Sequence, residues 1–164
     1  MKFSTLSILA VLMLAGCSTL ATHFEPNANL GRFTYIYVQQ NLNDNHGLDI
    51  LIVKELQARG IRAESGPLTL MPRDVKAYLI YQDHWDWDFK DYLISLGINV
   101  RDATSESLLA TASYFRPTAF MKSPAFMVQK VLDGLFNPSA KSSPSPPSAK
   151  PADEAKSGGG RRRD

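Results

Sequence analysis

From Val75 to Phe89 the chain alternates. Val75, Ala77, Leu79, Tyr81, Trp85, Trp87 and Phe89 fall on one side, and Lys76, Tyr78, Ile80, Gln82, His84, Asp86 and Asp88 on the other. Successive side chains of an extended backbone point to opposite faces, so a period of two over about fourteen residues predicts one long strand. The period returns at once in Tyr92, Ile94, Leu96, Ile98 and Val100. Asp102 to Glu106 supplies the polar residues of a hairpin turn. Leu108 to Phe115 then reads as a third strand, ended by Pro117, which has no N–H to give to a ladder.

The chain before this meander has a different rhythm. Phe33 to Val38 is rich in β-branched and aromatic residues and predicts a strand, and Asn41 to Gly47 is a polar connection. Leu48 to Arg59 predicts a helix, because Leu48, Leu51, Ile52 and Leu56 recur at the spacing of one helical face, with Ile50 and Val53 widening the stripe. Asp49 sits in its first turn, where the helix dipole favours a negative charge, and Gly60 follows as the left-handed stop. Ile61 to Glu64 predicts a short strand, and a strand–helix–strand order implies a right-handed crossover with parallel pairing. Ser65 to Asp74 carries Pro67 and Pro72 and reads as a loop. After the meander, Ser123-Pro124 is an N-cap followed by a proline at the first helical position. That helix runs to Phe136, with Val128, Val131, Leu132 and Leu135 on one stripe. The expected fold class is α/β (α+β): a single small mixed sheet of about five strands over residues 29–136, with two helices on one face.

The N-terminus has another task. Met1-Lys2 precedes an apolar run, Leu6 to Ala15, interrupted only by Ser7. A bilayer core needs about 20 apolar residues, so the run is too short to span and has the length of a signal-peptide core. It ends in Leu14-Ala15-Gly16-Cys17, which resembles the lipobox of bacterial lipoproteins: a leucine, two small residues, then the cysteine. The resemblance implies removal of residues 1–16 as a signal peptide, a diacylglycerol on the Cys17 sulfur by a thioether, and an N-acyl lipid on the new terminus. Residues 17–28 would be the lipidated tether. Each buried acyl CH₂ contributes about 0.8 kcal/mol, so two or three chains anchor stably. Ser18, where an aspartate would signal retention in the inner membrane in that family, implies the periplasmic face of the outer membrane. Cys17 is the only cysteine, which excludes a disulfide scaffold and a cysteine-based zinc site. No cofactor is expected beyond the covalent lipid.

Residues 137–164 hold five prolines, many Ser, Ala and Lys residues, Gly158-Gly159-Gly160 and Arg161-Arg162-Arg163, with no apolar period. Such a segment cannot bury enough surface to offset its ordering entropy and is expected to be a disordered tail with a basic end. The tail also carries the chain's positive balance. The whole sequence has 18 basic and 16 acidic residues, a net charge of +2, but residues 17–136 alone carry 11 basic and 13 acidic ones. A basic nucleic-acid-binding domain is therefore excluded. Arg161, Arg162 and Arg163 are candidates for docking on an anionic surface, such as lipopolysaccharide phosphates, peptidoglycan carboxylates or an acidic partner. The plainer alternative is a solubilising end.

The densest chemistry lies in Asp83-His84-Trp85-Asp86-Trp87-Asp88-Phe89. His84, Asp86 and Asp88 share one strand face at spacings of about 6.5–7 Å, too wide for a single metal ion without help from another element. They are expected to be a solvated polar face, with Trp85 and Trp87 behind them as core or rim residues. The functional alternative makes His84, Trp85, Asp86, Trp87 and Asp88 a partner- or ligand-binding surface, with the two tryptophans stacking on a glycan. His23 and His46 have no partner at a recognisable spacing, and the hydroxyls of Ser105, Ser107, Thr111 and Ser113 lack a nucleophile-elbow frame. No phosphate loop is present. Catalysis is not expected.

The strand Phe33–Val38, the helix end Leu56-Gln57-Ala58-Arg59-Gly60-Ile61, the strand entry Ala77-Tyr78-Leu79-Ile80 and the turn Arg101-Asp102-Ala103-Thr104 resemble small α/β modules of envelope-assembly lipoproteins. Examples are the curli-secretion lipoprotein and the lipoprotein activators of peptidoglycan synthases. Ser105-Glu106 stands where those families place a glycine after the turn, and no pore-forming insertion follows. The resemblance implies a non-catalytic accessory or assembly factor held to the membrane by its lipid and binding an envelope protein, peptidoglycan or lipopolysaccharide.

Overall fold

Six strands form one mixed sheet in the order β1-β6-β5-β4-β2-β3. The computed structural model describes residues 18–87, 89–116 and 122–137. The strands are β1 (Thr19–Phe24), β2 (Tyr35–Gln39), β3 (Arg62–Gly66), β4 (Ala77–Trp87), β5 (Asp91–Asp102) and β6 (Leu108–Phe115). The helices are α1 (Leu48–Ala58), between β2 and β3, and α2 (Pro124–Phe136), after β6. The mixed sheet with two helices is the architecture the sequence predicts.

The pairing follows the hydrophobic patterns. Strands β2 and β3 pair in parallel across the α1 crossover, with Ile36 opposite Ala63. Strand β4 joins the other side of β2 in parallel, and β4, β5 and β6 form the antiparallel meander. One residue of each alternating pair therefore points to the helix side. Ile36, Val38, Leu79, Leu96, Ile98, Val100, Ala110 and Ala112 meet Leu48, Ile52 and Leu56 of α1 and Val128, Val131, Leu132 and Leu135 of α2 in one core. Burying an aliphatic side chain of this size contributes about 1.5–3 kcal/mol.

Both helices end as their sequences dictate. Gly60 has φ of +78°, its N–H reaches the Gln57 carbonyl, and the Ile61 N–H reaches that of Leu56. This double return bond satisfies carbonyls that the last turn would otherwise leave open. At α2 the Ser123 hydroxyl accepts from the Phe126 N–H at 3.3 Å, one residue before Pro124. Arg59 ties the helices together, donating to Glu55 at 2.9 Å and to Asp133 of α2 at 2.8 Å.

The sixth strand corrects the sequence expectation that residues 17–28 are wholly a tether. Thr19–Phe24 pairs antiparallel with β6, Thr19 opposite Phe115 and Phe24 opposite Ala110. Leu20 and Phe24 pack on the core under α2. A Cβ on Gly134 would lie 2.7 Å from Thr22 Cγ2, so this glycine lets α2 approach β1 closely. Thr19-Leu20-Ala21-Thr22-His23-Phe24 alternates over only three inward positions, too short a pattern to read without its partner strand. The expected signal peptide and most of the expected tail lie outside the described residues.

Candidate functional site

The β4–β5 hairpin carries the residues that the sequence singles out. Its register shifts between His84 and Trp85: His84 faces Ser95, and Trp85 faces Leu93. The extra residue, Ile94, makes a bulge, which bends and twists a ladder locally. Through it Leu93 instead of Ile94 takes the buried place opposite Trp85.

Trp85 and Trp87 have different surroundings, so they do not form a shared stacking platform. Trp85 is half-buried against the core, its Nε1–H donates to Asp83 Oδ2 at 2.7 Å, and its ring is covered by His46. The two rings are stacked, with centroids 3.7 Å apart and planes 14° apart. His46 Nε2 also lies 3.2 Å from Asp91 Oδ2, at the start of β5. The loop before α1 thus clamps the base of the hairpin. Trp87 is 68% exposed beyond that clamp, and Phe89, 93% exposed, stands 6.2 Å from it. Phe89 has φ of +59°, a left-handed conformation uncommon for a bulky residue and typical of a tight turn.

His84 and Asp86 are exposed, as expected. Asp86 accepts from the Trp87 N–H at 2.8 Å and from the Tyr92 hydroxyl at 3.3 Å. Asp88, Cys17 and Arg161, Arg162 and Arg163 lie outside the described residues. Among the described residues no group of three or more His, Cys, Asp or Glu side chains is placed to hold a metal ion. No described helix is long and apolar enough to cross a membrane.

His46 acquires its partners from residues 39 and 45 positions away, which no local spacing reveals. Asp44 is the other residue the sequence reading passed over. Its Oδ1 accepts from the N–H groups of His46 and Gly47, and its Oδ2 from the Leu48 N–H at 2.7 Å and the Tyr81 hydroxyl at 2.8 Å. An acidic residue just ahead of an apolar helical stripe was the available signal. Burial works against the charged carboxylate, but the bonds from Tyr81 and the backbone outweigh it and hold Asp44 below the usual carboxylate range. The same burial and the Asp44 charge push the Tyr81 hydroxyl up.

Of the hydroxyl residues, Ser105 and Ser107 belong to the β5–β6 turn, and Thr111 and Ser113 lie within β6. Asp102 Oδ1 accepts from the N–H groups of Thr104 and Ser105, and Ser105 and Ser107 bond each other at 2.8 Å. Those backbone bonds hold Asp102 below its ordinary range, which is the chemistry of a turn. A cleft of about 320 Å³ opens beside it, lined by Arg32, Tyr35, Asp74, Lys76, Asp102 and Thr104. Burial, and next the hydrogen bond to Glu64, push the Tyr35 hydroxyl up to about 12, so it stays protonated. A second cleft, about 470 Å³, lies between Asn41, Leu42, Pro67, Leu68, Tyr81 and Gln82.

No family model matches the chain, and no curated protein matches it by sequence. The PelC dodecamer from Paraburkholderia phytofirmans aligns with a TM-score of 0.56 at 14% identity, covering 73% of this chain and 97% of that one. The chain resembles PelC in fold. A point variant of PelC in another crystal form aligns over the same shares at a TM-score of 0.54. A minor lipoprotein from Acinetobacter baumannii aligns at 14% identity over 65% of this chain and 87% of that one, but its TM-score of 0.30 carries no argument. At these identities the PelC likeness speaks for the fold alone.

Proposed function

We propose that the protein is a lipid-anchored accessory factor on the periplasmic face of the outer membrane, non-catalytic, acting by holding its domain beside other envelope components. The observation that carries this reading is the junction of lipobox and fold. Cys17 stands two residues ahead of β1, an integral strand of a domain that matches PelC over 97% of PelC's length. A lipid there fixes the sheet itself at the membrane surface and raises its effective concentration near any partner. The PelC structures are dodecamers, which supports copies of this chain as one class of partner.

Two measurements test the proposal. Mass spectrometry of the N-terminal peptide should find the diacylglyceryl and acyl masses on Cys17, and Cys17→Ser should move the protein from the outer-membrane fraction to the soluble fraction. An unmodified Cys17 in a protein that still fractionates with the membrane would sink the anchor. In-cell crosslinking of the intact protein should then give either a ladder of self-crosslinks or one dominant envelope partner. Crosslinks only to abundant neighbours at background level would overturn the accessory role.

A further inference from the structure

The cleft of about 320 Å³ beside the β5–β6 turn lies at one end of the sheet, and the start of β1 lies at the other. Strand β1 begins with Thr19 opposite Phe115, and Phe115 is opposite Ser95 of β5. Asp102, on the wall of the cleft, comes seven residues after Ser95, about 23 Å at the rise of a strand. The tip of the β4–β5 hairpin, where Trp87 faces Asp91, shares the end at which β1 starts.

Four charged side chains converge on the cleft from three segments far apart in the chain. Arg32 comes from the turn ahead of β2, Asp74 and Lys76 from the loop ahead of β4, and Asp102 from the end of β5. Thr34 and Thr104 add hydroxyls. Arg62 borders the site, its guanidinium 4.0 Å from the centre of the Tyr35 ring.

The protein uses these charges only in part. Asp102 Oδ1 takes the N–H groups of Thr104 and Ser105, while its Oδ2 has no hydrogen bond among the described residues. Asp74 meets Arg62 at 3.8 Å, with both side chains 68% exposed, a contact that contributes little. Arg32 rests over the Phe33 ring at 4.8 Å. Neither Arg32 nor Lys76 makes an ion pair among the described residues. Charges of both signs left this way in one concavity are matched by a ligand that carries both. A lone anion would face the carboxylates unpaired, and a lone cation would face Arg32 and Lys76.

We infer that this cleft binds an amino-acid head group, a carboxylate and an ammonium on one carbon, as the free end of the diamino acid in a peptidoglycan stem peptide presents it. The Arg32 fork takes the carboxylate through paired N–H bonds, and Lys76 adds a point charge. Asp74 and Asp102 take the ammonium. A volume of about 320 Å³ suits such a head group and not a whole polymer strand. The inference rests on the envelope reading for the source of the ligand. A domain held through its N-terminus presents this end away from the membrane.

The test is a calorimetric titration of the full-length protein in detergent. The probes are the tripeptide L-Ala-γ-D-Glu-meso-diaminopimelate and its lysine counterpart, which keeps the free ammonium but lacks the carboxylate beside it. The diaminopimelate peptide should bind about ten-fold tighter, the scale of one charge-assisted contact. Arg32→Gln and Lys76→Gln should each weaken it about ten-fold with melting unchanged, because both side chains are exposed. Asp74→Asn should weaken both peptides alike, since both carry the ammonium. No binding, or equal affinity for the two peptides, overturns the inference. So does affinity that survives Arg32→Gln and Lys76→Gln. Inorganic phosphate that displaces the peptide at equal concentration overturns it too, marking a general anion site. Sedimentation with purified peptidoglycan sacculi separates the sources. The native protein should sediment and Lys76→Gln should stay in solution, and peptide binding without sacculus binding overturns the polymer as the source. Because the titration needs no membrane, a failure of Cys17 acylation would sink the anchor and leave this result readable on its own.

Discussion

The imidazole of His46 lies flat on the indole of Trp85 while its Nε2 contacts Asp91 at 3.2 Å, so one side chain joins the loop before α1 to both strands of the β4–β5 hairpin. A ring pair of this kind contributes about 0.5–1.5 kcal/mol beyond the area it buries. His46→Ala should therefore lower stability by about 1 kcal/mol, which in a domain of this size is a fall in Tm of about 4–8 °C. Thermal melts followed by circular dichroism measure it, and an unchanged Tm would show that the stack does not brace the hairpin.

Trp87→Ala should behave in the opposite way. The ring is 68% exposed, and exposed substitutions usually stay within about 0.5 kcal/mol. Trp85→Ala, at a half-buried ring with a hydrogen bond, should cost about 3 kcal/mol or more. Urea titrations of the two variants separate a surface tryptophan from a structural one.

Asp44 caps α1 from a distance, and its effect depends on pH. A carboxyl held below its ordinary range in the folded state adds stability that is fully present above its unfolded pKa and is lost as pH falls through the folded value. Asp44→Ala should cost about 1–2 kcal/mol at neutral pH, the scale of a lost helix cap. The gap between native and variant should narrow below the usual carboxylate range. A gap that stays constant down to strongly acidic pH would show that the charge plays no part.

Gly134 tests whether β1 is docked. A methyl group there would press on Thr22 Cγ2 at 2.7 Å and on Leu20 at 3.4 Å. Gly134→Ala should cost about 1–3 kcal/mol from overpacking, despite the better helix propensity of alanine. Thr22→Ser removes the offending methyl, so the double variant should recover much of the loss. Equal melting of single and double variants would mean that α2 does not rest on β1.

Arg59 joins Glu55 and Asp133 from a half-buried position. Hydrogen bonds to charged groups contribute about 1.5–3 kcal/mol. Arg59→Ala should destabilise by about that amount, and added salt should recover little of it because the site is shielded. Full recovery in high salt would mark the pair as a surface contact.

Much of the fold was legible because its signals are local. The alternation of β4 and of β5 from Leu96 on, the stripes of α1 and α2, Gly60 and Ser123-Pro124 each act within a few residues, and each stands where its chemistry requires; the expected phase of Tyr92 and Ile94 with Leu96 is broken by the bulge, which buries Leu93. β1 was not legible, since an edge strand with three inward side chains acquires meaning only beside β6 and beneath Gly134. The hairpin was half legible. Its alternation puts Trp85 and Trp87 on one face, and nothing local says that His46 covers one while the other stands clear.

The sequence by itself determined the two helices, five of the six strands and their mixed sheet, because backbone period and cap are written in neighbouring residues. Only the tertiary structure decided which tryptophan is braced and which is bare, and that the start of β1 and the tip of the β4–β5 hairpin face the same way. Those outcomes depend on strand direction and register. Hydrogen bonds between distant segments set both, and no stretch of chain contains them alone.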